Sequence, residues 1–350
     1  MTRVKSDRVT NIIIEIERPA STLVRCVVAT GALALVLAGC ATSSNDSAAT
    51  GKCSGGPAKK ITIAYQPGLG YAPLLIAKQK KSLNSAVPGT SVEWRVLNSG
   101  AAIRDGILSG DIQIGAGGIG PFLVGYDGGV KWKVLTSMDN MNLYLMTKDP
   151  KITSLKNLKG AGKIAMPGPD SIQAVVVRKG AADQLSDAHA LDSQFVAMGH
   201  PDGVQALIGG QLSAHMTSPP FQGKEAAQGA RKILASYDVF GEHTFNSIFA
   251  TTDVQACNPK FTAALIASVT DANTMLAKDP AGAAKILVPE MGGATAESVE
   301  KLITSSDVKW TTKPQGFGVF AKFMHEIKLI KTTPNVSDLF FKNAATSGGS

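Results

Sequence analysis

The sequence predicts an α/β protein with two lobes. Each lobe is built on a mixed, mostly parallel sheet, the chain crosses twice between them, and a cleft lies where they face. Three observations carry this. Short apolar strand signals alternate with helical stretches between residues 61 and 236, the pattern of parallel sheets covered by helices. Two similar segments interrupt the alternation, NLYLMTKD at 142–149 and NSIFATTD at 246–253, sharing Asn first, Thr sixth and Asp eighth. After the second segment only helical signals follow. The length of 350 residues agrees with about two domains.

The elements follow in order. Strand signals at 61–65 (ITIAY), 91–97 and 111–116 precede helices at 71–81, 101–108 and 121–126, and a fourth strand is expected at 132–138. In the second unit, strands at 163–166, 194–198 and 213–216 precede helices at 171–185, 201–208 and 219–227, and a strand at 232–236 closes the series. Helices are expected at 259–276, 280–287, 296–303 and 316–328. Asn258-Pro259 and Asp279-Pro280 place an N-cap side chain before a Pro at the first helical position. Phe261, Leu265, Val269 and Leu276 share one face of the first of these helices, so it packs against a body. The two N…T.D segments are expected to be the crossings, over 142–147 and 246–251. That divides the chain into lobe 1 (61–146 plus 248–350) and lobe 2 (147–247), a hinged clamp suited to a small ligand.

The N-terminus sets the compartment. Residues 27–38, VVATGALALVLA, follow Arg25 and have the length of a signal-peptide apolar region. A spanning helix needs about 20 residues. LAGC at 37–40 comes next. Small residues before a cysteine suit a peptidase that leaves Cys40 as the first residue, its thiol free for lipid attachment. Residues 1–39 are therefore expected to be a lipoprotein signal peptide. Residues 40–60, rich in Ser, Gly and Ala, are expected to be a tether holding the body off the outer face of a membrane. The leader is unusual in carrying a 25-residue stretch before its apolar region. Cys53 and Cys257 are left, and in an oxidising compartment they either pair or stay as separate thiols.

Composition excludes several functions. Apolar residues make up 44% and charged residues 18%, a globular balance. The net charge is +8, yet no run of five like charges occurs and aromatics are only 6%, which argues against a nucleic-acid groove. There is no GxSxG, HExxH or CxxC and no His/Cys/Asp group with metal spacing, so neither an enzyme nor a metal site is expected. GAGGIG at 115–120 matches a dinucleotide fingerprint literally. Its strand is third rather than first, and Pro121 follows at once, so the glycines are read as bringing backbone close to a small ligand.

Several pieces occur in one order: ITIAYQPGLGYAPLLIAKQK, GILSGDIQIGAGGIGPFL, ITSLKNLKGAGKIAMPG, PDGVQALIGGQLSAHMTSPPF and FAKFMHEIKLIKTTPNVSDLFF. Over residues 61–343 they resemble the nitrate/sulfonate/taurine-type substrate-binding proteins of ABC importers, the group that also includes binders of thiamine pyrimidine precursors. The resemblance implies a periplasmic-binding-protein fold and a monomer without cofactor. It also implies a small ligand captured in the cleft and delivered to a membrane permease, from a lipid-anchored position outside the cytoplasm. A sulfonate is the first expectation. A pyrimidine precursor, an aromatic acid, nitrate and bicarbonate are the alternatives.

In open α/β sheets, ligands sit where strand ends meet helix N-termini, which favour oxyanions. The candidates follow that rule. Gln66, Gly70 and Tyr71 lie after the first strand, with Tyr71 either contacting ligand or serving as a core lid. Ser99 and Gly100 lie after the second strand, as an anion site or a plain cap. Arg104, one turn on, is expected to be solvated. Gly118 and Ile119 follow the third strand, and Asn140 precedes the first crossing. In the second lobe Asp170 and Gln173 have capping-box spacing, with Ser171 facing ligand. His200 either donates to an oxyanion or only caps its helix, and His215 is expected in the core. Ser218 opens a further helix, and Phe221 either closes an apolar wall or is buried beneath that helix. No Lys or Arg is clearly aimed at the cleft, which weakens a compact dianion and leaves monoanions and neutral ligands.

Overall fold

The computed structural model describes residues 57–342, which fall in one compact unit. The signal peptide, Cys40 and Cys53 lie outside the described residues. Twelve strands are seen there: β1 Lys60–Tyr65, β2 Ser91–Val96, β3 Ile114–Gly118, β4 Trp132–Ser137, β5 Asp139–Met141, β6 Tyr144–Thr147, β7 Ile164–Met166, β8 Phe195–Ala197, β9 Ala214–Met216, β10 Arg231–Ala235, β11 Asn246–Thr251 and β12 Val308–Trp310. Lys60, assigned by sequence to the tether, is already the first residue of β1.

Two five-stranded sheets form the two lobes, in the orders β2-β1-β3-β11-β4 and β10-β6-β9-β7-β8. Written from the other end, the second order matches the first: each sheet takes its own strands as second, first, third and fourth. In each, the strand slotted between third and fourth runs antiparallel. That strand is β11 in the first sheet and β6 in the second. These are the two N…T.D segments. They are equivalent, but they are strands and not the crossings. The chain changes sheet earlier, over 138–143 and 236–245. A short apolar run flanked by polar residues reads alike in a hinge and in a short strand, so spacing alone does not separate the two.

The interior strand β1 is buried from residue 61 to 65, with Ile61 and Ile63 fully inaccessible. That suits a parallel strand covered on both faces. Edge strand β2 alternates instead, and its Glu93 pairs with Lys60 and Arg95 at the surface. Phe122, Trp132 and Phe249 anchor the first lobe, with Phe122 stacked on Trp132 at 5.4 Å.

The C-terminal region differs from expectation in one respect. Between its helices lies β12, which pairs antiparallel with β5 beside the first crossing. Three residues are too few for strand periodicity to register. The helix Pro259–Lys278 buries Phe261, Leu265, Val269 and Leu276 as expected. Asp279 caps its helix by accepting from the Gly282 N–H at 2.9 Å. Asn258 does not cap. Its side chain instead accepts from the Ala58 N–H and donates to the Val254 carbonyl, which ties down the start of the body.

Candidate functional site

The lobes meet over a cavity lined by Gln66, Pro67, Gly68, Tyr71, Gly100, Gly118 and Pro121 from the first lobe and its helices. Pro167, Ser171, Ile172, Gln173, His200 and Ser218 line it from the second, and Phe245 and Asn246 from the second crossing and β11. Strand ends β1, β3, β7 and β9 lead into it. So do the first turns of helices Gly100–Leu108, Ile119–Asp127, Ile172–Leu185 and His200–Ile208. Four helix N-termini bias the space toward negative charge. Among the described residues, no Lys, Arg, Asp or Glu lines it.

The lobes are closed on one another. The Leu69 N–H donates to the Pro219 carbonyl at 3.1 Å across the cleft. A Cβ on Gly120 would overlap the Asp170 carbonyl, so only glycine lets this helix approach the opposite lobe so closely. The remaining space is about 20 Å³, room for roughly one water. Nitrate and any sulfonate are larger, so the wall has to yield somewhat when a ligand is held.

Arg104 is not solvated. Its guanidinium donates to Asp170 at 2.7 Å from the other lobe, with both side chains mostly buried. Asp170 is therefore not the helix cap. Ser171 caps, accepting from the Ala174 N–H at 3.2 Å and donating to the Gly168 carbonyl at 2.6 Å. Gln173 is released from the expected capping box and reaches His200, with 3.1 Å between the amide and ring nitrogens. Cap and box spacings are one residue apart in PDSIQ, which is why the sequence does not separate them. Arg104→Ala removes an interlobe pair of about 1 kcal/mol. Calorimetry should show ligand affinity falling about fivefold in low salt, with a smaller loss in 1 M salt.

Tyr71 is buried, and its hydroxyl accepts from Gln66 Nε2 at 2.9 Å. Burial, with Asp139 nearby, raises its pKa, so it stays a phenol with a proton to donate. Asn246 is fully buried, and neither its Oδ1 nor its Nδ2 has a partner. Its backbone N–H donates to Asp139 Oδ1 at 3.3 Å. Burial raises the Asp139 carboxyl well above the usual range.

Of the expected residues, Gln66, Tyr71, Gly100, Gly118, Ser171, His200 and Ser218 are brought together on the cavity wall. Five are not. Ser99 caps its helix through the Ala102 N–H at 3.1 Å. Gly70 sits behind the wall, where a Cβ would overlap the Asn246 amide. Ile119 is core. Asn140 serves the crossings, donating to Glu242 at 2.7 Å and Gln315 at 3.0 Å. Phe221 backs His200 at 5.4 Å without lining the space. Asn246 and Gln173 went unassigned as site residues. An Asn just before the short apolar run 248–250 was the available signal for the first.

His215, expected in the core, is fully buried and bonded on both sides. His200 Nδ1 lies 3.0 Å from its Nε2, and its Nδ1 lies 2.5 Å from Glu225 Oε1. Burial holds His200 well below the usual imidazole range, lowers His215 to about 3 and raises Glu225 to about 8.

The NMT1-like family matches residues 54–288, about two thirds of the chain. The chain belongs to the NMT1-like family. No curated protein matches it in sequence. Solved structures share the fold of this NMT1-like protein at low identity. The alkanesulfonate-binding protein of Xanthomonas axonopodis pv. citri, bound to MOPS, has a TM-score of 0.67 at 16% identity, covering 81% of this chain and 99% of its own. A ligand-binding component of an ABC-type import system from Staphylococcus aureus, with zinc bound, has 0.66 at 15%, covering 82% and 97%. The periplasmic nitrate-binding protein of Synechocystis PCC 6803 has 0.59 at 18%, covering 70% and 69%. Among the described residues of the NMT1-like chain, no group of three or more His, Cys, Asp or Glu is placed to hold a metal ion.

Proposed function

We propose that this NMT1-like protein is the extracytoplasmic substrate-binding component of an ABC importer and not an enzyme. It takes a small organic anion, a sulfonate first, between its lobes and hands it to a membrane permease. The observation that carries this is a cavity lined, among the described residues, by no charged side chain, under four helix N-termini, with the Tyr71 hydroxyl proton and the unpartnered Asn246 amide to offer. Dipoles and neutral donors suit a monoanion, since each bond to a charged acceptor contributes roughly 1.5–3 kcal/mol. The jaws are the lobes around β1–β4 with β11 and around β6–β10, and the protein works as a monomer. In the same reading Cys40 carries the lipid anchor. Cys257 is disulfide-bonded, and we take its partner to be Cys53.

One observation favours a second reading. Asn246 Oδ1 needs a donor, which an alkanesulfonate lacks and a pyrimidine precursor supplies. A thermal-shift series over ethanesulfonate, taurine, nitrate, bicarbonate, benzoate and an aminopyrimidine decides between them. A ligand at 100 times its Kd adds about 2.7 kcal/mol of stability. The proposal expects that gain from a sulfonate. A gain from the aminopyrimidine alone replaces it with the second reading, and none from any compound sinks both.

A further inference from the structure

The chain of contacts from the cavity to Glu225 is longer than ligand capture needs. Gln173, His200, His215 and Glu225 come from three helices and one strand, β9, and lie within 2.5–3.1 Å of one another in sequence. The packing makes room for it: a Cβ on Gly203 would overlap the His215 ring. Glu225 ends the chain in full burial, and its Oε2 has no partner.

These contacts admit two proton arrangements. In one, Glu225 is ionised, His215 donates to it from Nδ1, and His200 donates to His215 from Nδ1. His200 Nε2 is then an acceptor and takes the Gln173 N–H. In the other, Glu225 is protonated and donates to His215 Nδ1, and His215 donates from Nε2 to His200 Nδ1. His200 Nε2–H then donates to the Gln173 oxygen, which leaves the Gln173 NH2 as the donor at the cavity wall. The two differ by one proton. A proton entering at His200 Nε2 forms that N–H bond. The His200 Nδ1 proton passes to His215 Nε2, and the His215 Nδ1 proton passes to Glu225.

We propose that Glu225–His215–His200 is a proton relay that sets the polarity of the cavity wall, so that an acceptor-only anion binds the protonated arrangement and, where Glu225 starts ionised, is taken up together with one proton from the cleft. This rests on the small-anion reading above. With Glu225 protonated the relay carries no charge and presents a donor to the anion. With Glu225 ionised it carries a buried negative charge and presents an acceptor. Burial raising Glu225 and lowering both histidines favours the neutral arrangement at neutral pH. The surrounding elements add little charge of their own. Lys224 stands over the Phe221 ring at 5.9 Å, and Asp202 is exposed on the His200 helix. Arg104 pairs with Asp170 and Arg178 with Asp192. Thr217, next to His215, brings only an unpartnered hydroxyl.

The test has two arms on the intact protein. In the first, nitrogen-15 histidine NMR without ligand reads which ring nitrogens carry protons at pH 6.5 and 9.5. His200 should carry its proton on Nε2 at the lower pH and on Nδ1 at the higher. Glu225→Gln, whose amide N–H imitates the protonated acid, should hold Nε2–H at both. The same tautomer at both pH values in the wild type, or a switch that persists in Glu225→Gln, overturns the relay. In the second arm, ethanesulfonate is titrated calorimetrically. Its affinity should fall about tenfold or more from pH 6.5 to 9.5 in the wild type, because affinity drops tenfold per unit above the pKa of the protonated group. It should stay flat in Glu225→Gln. Binding that is flat in the wild type overturns the coupling. A switch seen by NMR without ethanesulfonate binding leaves the relay standing and removes the sulfonate reading instead.

Discussion

Gly120→Val should lower ligand affinity about a hundredfold while leaving the protein folded. The helix Ile119–Asp127 brings Gly120 against the Asp170 carbonyl and the Ile172 N–H of the other lobe. Two branched methyl groups there meet backbone, which cannot swing aside as a side chain tip does. The closed state is therefore disfavoured. Apparent affinity falls in proportion to the fraction of molecules able to close, and a penalty of about 2.7 kcal/mol corresponds to a hundredfold. The substitution leaves the first lobe's own core alone, and Val is a slightly better helix former than Gly. The melting temperature without ligand should hold. X-ray scattering should show a larger radius of gyration than wild type, with or without ligand. Unchanged affinity would mean that ligand is held with the lobes well apart, and the closed cavity would not be the binding state.

Asn246→Leu should move stability and binding in opposite directions. The amide is fully buried with both polar atoms unpartnered. Leaving such a group unsatisfied costs roughly 1–3 kcal/mol. A leucine of similar shape removes that cost, so the ligand-free protein should melt a few degrees higher. It also removes a donor and an acceptor from the cavity wall, so affinity should fall roughly 10- to 100-fold. The backbone bond from residue 246 to Asp139 is untouched. A lower melting temperature with unchanged affinity would make Asn246 a structural residue and take it out of the site.

The α/β alternation, the two lobes and the pairing of the two N…T.D segments were all legible, because each rests on local periodicity or on direct comparison of residues. Even the equivalence of β6 and β11 is visible there, though their role as inserted strands is not. That role depends on which strand pairs with which, and pairing partners are set by tertiary contact. The β5–β12 ribbon was hidden for the same reason. At the candidate site, residues announced by helix starts (Gly100, Gly118, Ser171, His200, Ser218) line the cavity, since strand ends and N-termini point at the cleft by topology. Residues whose meaning is a partner were not. Gln173 was read through its spacing to Asp170, which spends itself on Arg104 instead. Asn246 was read through its likeness to Asn142, whose Oδ1 accepts from the Tyr237 N–H at 3.1 Å in the other crossing. The relay was invisible because His200, His215 and Glu225 share no motif, only neighbouring positions in space.

The inserted strands also impose a birth order on the two lobes. The strands β6–β10 of the second sheet all lie between residues 144 and 235, so that sheet is complete within one continuous stretch. The first sheet is not. In it β4 joins the sheet through β11, with Trp132 opposite Thr251. A ribosome adding about 5–20 residues per second needs roughly ten seconds to span that gap. Through that interval the lobe begun first exposes unpaired edges on β3 and β4, while the lobe begun second can already close. On this topology the second lobe matures first on the ribosome. Proteolysis of chains stalled near residue 240 should leave a protected fragment from the second lobe and none from the first. A slowed stretch of translation before residue 246 would prolong the exposure of those edges to neighbouring chains.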